Sequence, residues 1–168
     1  NQNEFDEHVL RMESQGYAIL PDVFTESECD EAQQELERLT AAEIPLECLF
    51  NKARVFEQIY QVPHLLRFLR NFLGEDACLS GAYGSIRRAG EGAGGLHSDG
   101  AITGHNRTES IAVGDYGQRI TSHILGINVI ICVSEFTNNN GATVVVPGSF
   151  RSPNFDISSS SKSLEKVA

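Results

Sequence analysis

Several features are scarce in this chain, and each absence argues against a class of protein. Only 13 residues are basic against 23 acidic ones, so the formal charge is −10, and such a surface repels phosphate backbones and anionic lipids. We therefore expect neither nucleic-acid nor membrane binding. The four cysteines form no C-x-x-C pair, which argues against a zinc knuckle or a disulfide-dense scaffold and favours a reducing compartment.

Long apolar segments are also missing. No apolar run reaches the roughly 18 residues that a membrane-spanning helix needs. Acidic residues such as Glu4, Asp6 and Glu7 stand where a secretory signal would be basic and then apolar. These absences predict a soluble, cytoplasmic protein, although a targeting sequence before Asn1 would change that localisation.

What the chain does contain is enough apolar material for one compact domain. It has 168 residues, of which 40% are hydrophobic, including 9 Phe and 4 Tyr. One domain usually occupies this length. The pattern divides it into a helical part over residues 1–76, a strand-rich part over 77–157 and a serine-rich tail over 158–168.

The helical part opens with apolar residues at helical spacing. Phe5, Val9 and Met12 predict one face of a helix that ends near Gly16. The apolar run at 17–20, which stops at a proline, predicts a short strand.

Two further helical regions follow. Thr25 and Glu28 have the spacing of a capping box, which predicts a helix over 26–40. Apolar residues between 54 and 73 again follow helical spacing, with a proline at an N-terminal turn and Gly74 as the stop.

From residue 77 onward, glycine becomes frequent and apolar residues gather in short runs, which is typical of strands. The predicted strands lie at 78–79, 124–125, 127–133 and 144–146. The Asn-Gly pair at 140–141 predicts a hairpin between the last two. Residues 98–119 have no clear period and predict a long loop of the kind that often meets substrate.

A pair of potential metal ligands, His97 and Asp99, lies where a strand would meet this loop. On an extended backbone, residues i and i+2 project to the same side, so an imidazole and a carboxylate can converge on one metal ion. The motif alone is weak, because roughly 0.7 His-x-acid patterns are expected by chance in this composition. The other interpretation of the pair is a solvated loop with a mutual hydrogen bond.

A second block strengthens the metal interpretation. An apolar run over 127–133 leads to the sequence Asn-Gly-Ala-Thr-Val-Val-Val-Pro-Gly-Ser over 140–149. Together with His97 and Asp99, this block resembles the phytanoyl-CoA dioxygenase family of Fe(II)- and 2-oxoglutarate-dependent oxygenases. The resemblance spans about residues 10–155, and it departs at Phe150, where the family usually has a histidine that is not a metal ligand.

The resemblance implies a double-stranded β-helix, a cupin-like jelly roll, preceded by N-terminal helices. In that fold His97 and Asp99 hold Fe(II), 2-oxoglutarate is the cosubstrate, and O2 oxidises a small-molecule substrate while 2-oxoglutarate is decarboxylated to succinate. The presence of Asp99 favours hydroxylation, since halogenase relatives lack this carboxylate. The substrate and the oligomeric state cannot be read from the chain.

The family also implies ligands that this chain does not contain. A third ligand histidine and a 2-oxoglutarate-binding arginine are expected beyond Ala168, because no histidine follows His123 and Arg151 comes too early. His105 and His123 match no ligand position in the family. The chain is thus expected to be a fragment without the last strands, and to turn over poorly because two ligands hold iron less firmly than three.

Asn128 and Thr143 are polar residues within apolar runs, where an unpaired polar group would cost about 1 to 3 kcal/mol. They either face the barrel interior and contact the cosubstrate or form cross-strand hydrogen bonds, and the sequence leaves both open. A non-catalytic jelly-roll binding module with a decayed metal site is the alternative to the enzyme.

Overall fold

The computed structural model describes residues 2–87, 124, 126–137, 140–151 and 165–167. The chain divides into two compact units. The first contains residues 1–19, 92–127 and 142–168, and the second contains 20–91 and 128–141. The prediction of a single domain stays a prediction.

Four helices and two short strands make up the regular structure of the described residues. In chain order they are α1 (Gln2–Gln15), α2 (Glu26–Ala41), α3 (Arg54–Ile59), α4 (Pro63–Leu73), β1 (Thr143–Val145) and β2 (Glu165–Val167), with 3-10 turns at Leu49–Asn51 and Ser149–Arg151. No helix within the described ranges combines the length and the apolarity needed to cross a membrane.

Helix α1 of the first unit follows the sequence prediction. Phe5 is buried, and Val9 and Met12 are half-buried on the same face. Gly16 ends the helix with a φ of 85°, a left-handed conformation that glycine adopts without a Cβ penalty, and its N–H donates to the Met12 carbonyl at 2.9 Å. The strand predicted at 17–20 is wrong, because these residues pair with no described strand.

The strands of the first unit differ from the expected hairpin. β1 pairs antiparallel with β2, so that Thr143 lies opposite Val167 and Val145 lies opposite Glu165. β2 thus arises within the segment that the sequence assigned to a serine-rich tail. Neighbouring strands are joined by backbone hydrogen bonds, which sequence periodicity does not specify.

Helix α2 of the second unit begins with the predicted capping box. The Glu28 N–H donates to Thr25 Oγ1 at 3.3 Å, and the Thr25 N–H donates to Glu28 Oε2 at 2.8 Å. The Thr25 hydroxyl also donates to the same carboxylate oxygen at 2.8 Å. Two backbone N–H groups that would lack partners at a helix start are thereby satisfied.

This box makes the start of α2 dependent on pH. Hydrogen bonds from the Thr25 backbone, and then from its hydroxyl, lower the pKa of Glu28. A carboxyl whose pKa is lower in the folded than in the unfolded state stabilises the fold above its unfolded pKa, and this contribution is lost as pH falls through the folded pKa. Thr25→Ala should therefore raise the pKa of Glu28 toward its ordinary value, which an NMR titration of the carboxyl carbon measures.

Thr40→Ala provides the matched control for this titration. The Thr40 hydroxyl lies in the same helix and donates to the Leu36 carbonyl at 2.8 Å, away from Glu28. Its removal should leave the Glu28 titration unchanged. An unchanged Glu28 pKa in Thr25→Ala would contradict the role assigned to the hydroxyl.

The core of the second unit is built by α2, α3 and the 3-10 turn between them. Its buried members are Ala32, Leu36, Leu39, Leu49, Val55, Phe56 and Ile59. The apolar region predicted over 54–73 divides into α3 and α4 just before Pro63, whose ring suits the first position of a helix. Gly74 ends α4 with a φ of 83°, as predicted.

The segment 82–84 packs closely against this core. The Leu49 N–H donates to the Ala82 carbonyl at 3.2 Å, and the Gly84 N–H donates to the Leu46 carbonyl at 2.9 Å. A Cβ on Gly84 would lie 2.5 Å from Leu36 Cδ2, so the backbone at this position approaches α2 more closely than any side chain permits.

Residues 127–133 do not form the predicted strand. Ile131 and Val133 pack against the core of the second unit, while Val129 and Ile130 are 43% and 59% exposed. The predicted strand at 78–79 is likewise absent, and Leu79 is 57% exposed. A strand needs a hydrogen-bonded neighbour, and no described segment provides one here. The jelly roll itself stays a prediction.

Candidate functional site

The predicted iron ligands His97 and Asp99 lie outside the described residues, as do the loop 98–119 and the histidines His105 and His123. Among the residues that the structure describes, no three His, Cys, Asp or Glu side chains gather closely enough to hold a metal ion.

The two residues predicted to bind the cosubstrate, Asn128 and Thr143, belong to different units. Asn128 is the first residue of the second segment of the second unit, and it is exposed. Thr143 is half-buried at the first position of β1 in the first unit, opposite Val167. The strand placement predicted for Asn128 is wrong, whereas Thr143 does lie on a strand.

The second sequence block does contain a turn at the predicted Asn-Gly pair. Asn140 Oδ1 accepts from the Thr137 N–H at 2.7 Å, and Asn140 Nδ2 donates to the Glu135 carbonyl at 2.5 Å. The Asn140 N–H also donates to the Thr137 carbonyl at 3.3 Å. Gly141 follows with a φ of 91°, which requires a residue without a Cβ. The Asn140 side chain is therefore hydrogen-bonded to the backbone of both Glu135 and Thr137.

An arginine lies beside this turn. A Cβ on Gly141 would be 4.0 Å from both Cβ and Cγ of Arg87, which is an ordinary van der Waals distance. Arg87 is exposed, and its Cβ and Cγ are the only described atoms within 4 Å of such a Cβ. Nothing in the sequence around Arg87 indicates this contact, because 54 positions separate the two residues.

The predicted Pro-Gly stop after β1 is also a turn, in the first unit. The Ser149 N–H donates to the Val146 carbonyl at 3.1 Å, and Gly148 has a φ of 73°. The Gly148 N–H donates to the Gln15 carbonyl at 2.8 Å, which ties this turn to the end of α1. Phe150 follows, and its ring lies against Gly16.

The two remaining histidines have the helical positions that the sequence predicts. His64 is exposed at the second residue of α4. His8 is half-buried on α1, and its Nδ1 is buried with no hydrogen-bond partner among the described atoms.

All four cysteines are free thiols. Burial raises the pKa of Cys29, and the charges of Glu28 and Asp30 raise it further. Burial also raises the pKa of Cys132, to which the nearby Cys29 thiol adds. A nucleophilic cysteine needs a lowered pKa, so these two thiols are not prepared for catalysis. The sequence gives no sign that they are neighbours.

Two shallow grooves occur among the described residues. One of about 410 Å³ is lined by Glu37, Thr40, Ala41 and Ile86, and one of about 330 Å³ by Leu10, Arg11, Ser14, Gln15 and Tyr17. Neither has any of the predicted site residues in its described lining.

Comparisons with known protein families, with curated proteins and with solved structures found no match to this chain.

Proposed function

We propose that the protein is an Fe(II)- and 2-oxoglutarate-dependent oxygenase that hydroxylates a small-molecule substrate. The observation that carries the proposal is the His97-x-Asp99 pair, followed by the Asn-Gly-Ala and Val-Pro-Gly-Ser segments at 140–149. The structure has a turn at Asn140, the strand β1 and a turn at Gly148, which are elements that this block predicts and which support the proposal.

The donor types at positions 97 and 99 suit ferrous iron. A neutral imidazole and a carboxylate are two of the three ligands that non-haem Fe(II) oxygenases use, and the carboxylate balances part of the charge of the metal. When bound, iron with 2-oxoglutarate and O2 supplies the oxidising power to hydroxylate an unactivated C–H bond. In this proposal Thr143, which lies on β1, forms a hydrogen bond to the cosubstrate.

The same proposal gives the protein a place in the cell and a set of partners. We place it in the cytoplasm, where thiols stay reduced, and the four free cysteines fit such a compartment. Its partners are O2, 2-oxoglutarate and a small organic substrate.

An anaerobic Fe(II) titration by calorimetry tests the iron site directly. Asp99→Ala and His97→Ala should each weaken Fe(II) binding by roughly tenfold or more, since each removes a ligand and tenfold corresponds to about 1.4 kcal/mol. His64→Ala is the matched control, because this histidine is exposed on α4 and should leave binding unchanged. Equal affinity in the wild type and both ligand variants would contradict the proposal.

Adding 2-oxoglutarate separates an oxygenase from a protein that merely binds metal. A cosubstrate that chelates the metal should tighten Fe(II) binding in the wild type and not in Asp99→Ala. Succinate, which has no keto group beside its carboxylate, is the control ligand. Fe(II) binding that is indifferent to 2-oxoglutarate would favour the non-catalytic module.

A further inference from the structure

Asn140 is the only asparagine in this sequence that is followed directly by glycine. Both residues of the pair are exposed to solvent. In an Asn-Gly pair, the backbone nitrogen of the glycine can attack the side-chain carbonyl carbon of the asparagine, because glycine has no side chain to hinder the approach. The pair at 140–141 therefore contains all the groups needed to modify itself in water.

The structure also shows what restrains this reaction. The two ends of the Asn140 amide are held at once, Oδ1 by the Thr137 N–H at 2.7 Å and Nδ2 by the Glu135 carbonyl at 2.5 Å. To approach the Gly141 nitrogen, the side-chain carbon must rotate away from both partners. The folded turn thus opposes a reaction that the unfolded chain permits.

We propose that Asn140 is a self-modification site, whose amide converts to aspartate and isoaspartate whenever its hydrogen bonds to Thr137 and Glu135 open. The Gly141 nitrogen forms a bond to Asn140 Cγ, the bond from Cγ to Nδ2 breaks, and ammonia leaves with the proton of the attacking amide. Water then opens the resulting five-membered imide at either carbonyl. One opening yields aspartate, and the other yields isoaspartate with the chain running through the side chain.

The modification changes the turn irreversibly. An aspartate carboxylate cannot donate to the Glu135 carbonyl, so two oxygen atoms now meet where a hydrogen bond existed. Isoaspartate also adds a methylene to the backbone. The fraction of chains modified at Asn140 would therefore increase with the time that the turn spends open. This inference does not depend on the proposed function.

Timed incubation of the full chain at mildly alkaline pH tests the proposal. Peptide mapping should find a gain of one dalton and isoaspartate at Asn140, accumulating at least tenfold faster in urea than in the native protein. Asn51 is the internal control, since it is exposed but followed by Lys52. An unmodified Asn140 in urea would overturn the chemistry, and equal native and urea rates would overturn the protection by the turn.

A pair of variants tests the structural consequence separately. Asn140→Asp mimics one product and should lower the midpoint of thermal unfolding, whereas Asn51→Asp adds the same charge and should leave the midpoint unchanged. Asn140→Gln should suppress the mass gain, which shows that the signal comes from this residue. Equal midpoints for Asn140→Asp and the wild type would overturn the role of the amide in holding the turn.

Discussion

Leu39→Ala is expected to lower the free energy of unfolding by about 2 to 5 kcal/mol, the range for removing a buried leucine side chain. Leu39 is only 1% exposed and lies in the apolar stripe of α2 with Ala32 and Leu36. The substitution removes apolar contacts and leaves a cavity in the core of the second unit. Urea denaturation followed by circular dichroism at a helical wavelength measures the loss.

Leu79→Ala is the control for the burial of Leu39. It makes the same chemical change in the same unit at a side chain that is 57% exposed, so we expect a loss within about 0.5 kcal/mol. Similar losses at the two positions would show that Leu39 does not lie in the core described above.

Gly16→Ala is the second substitution with a large expected effect. Gly16 has a φ of 85°, where an L side chain costs roughly 1 to 2 kcal/mol. A Cβ on Gly16 would also lie 2.5 Å from Cδ1 of the Phe150 ring, so this ring, which is 47% exposed, must shift, and the shift adds to the backbone cost. The substitution should loosen the attachment of the turn at Gly148 to the end of α1.

A double-mutant cycle separates the two causes. Phe150→Ala removes the ring, so Gly16→Ala should cost less in that background than in the wild type. Gly74→Ala measures the cost of a side chain at a positive φ, here 83°, in the absence of a steric clash. No described atom lies within 4 Å of a Cβ at this position. If Gly16→Ala cost the same in the Phe150→Ala background as in the wild type, the ring contact would carry no energy.

The helices could be predicted because their signals are local. The Thr25 and Glu28 pair lies within one turn of α2, and Gly16 and Gly74 stand directly after the helices that they end. Each signal depends on residues at most four positions apart, so it can be recognised from the sequence alone.

The strands could not be predicted from the same kind of pattern. The apolar run at 127–133 has the composition of a buried strand, yet Ile131 and Val133 pack against the helical core while the large apolar side chains of Val129 and Ile130 are exposed. β1 instead pairs with Glu165–Val167, in a segment whose serines suggested a tail. Pairing depends on which distant segment supplies the hydrogen-bonding partner, and composition does not encode that choice.

The candidate site divides in a similar way. The turns at Asn140 and Gly148 were predicted because Asn-Gly and Pro-Gly have strong local preferences. The proximity of Arg87 to Gly141 was not predicted, since it brings together distant parts of the chain. The pairing of His97 with Asp99 stays a prediction that the iron titration decides.

The close approach of Gly84 to Leu36 has a consequence for evolution. Any side chain at position 84 would collide with Cδ2 of Leu36, at the 2.5 Å that separates a Cβ there from this methyl group. Sister sequences that keep this arrangement should retain glycine at position 84. Where they do not, a smaller residue should replace Leu36, so that the two positions covary as a pair.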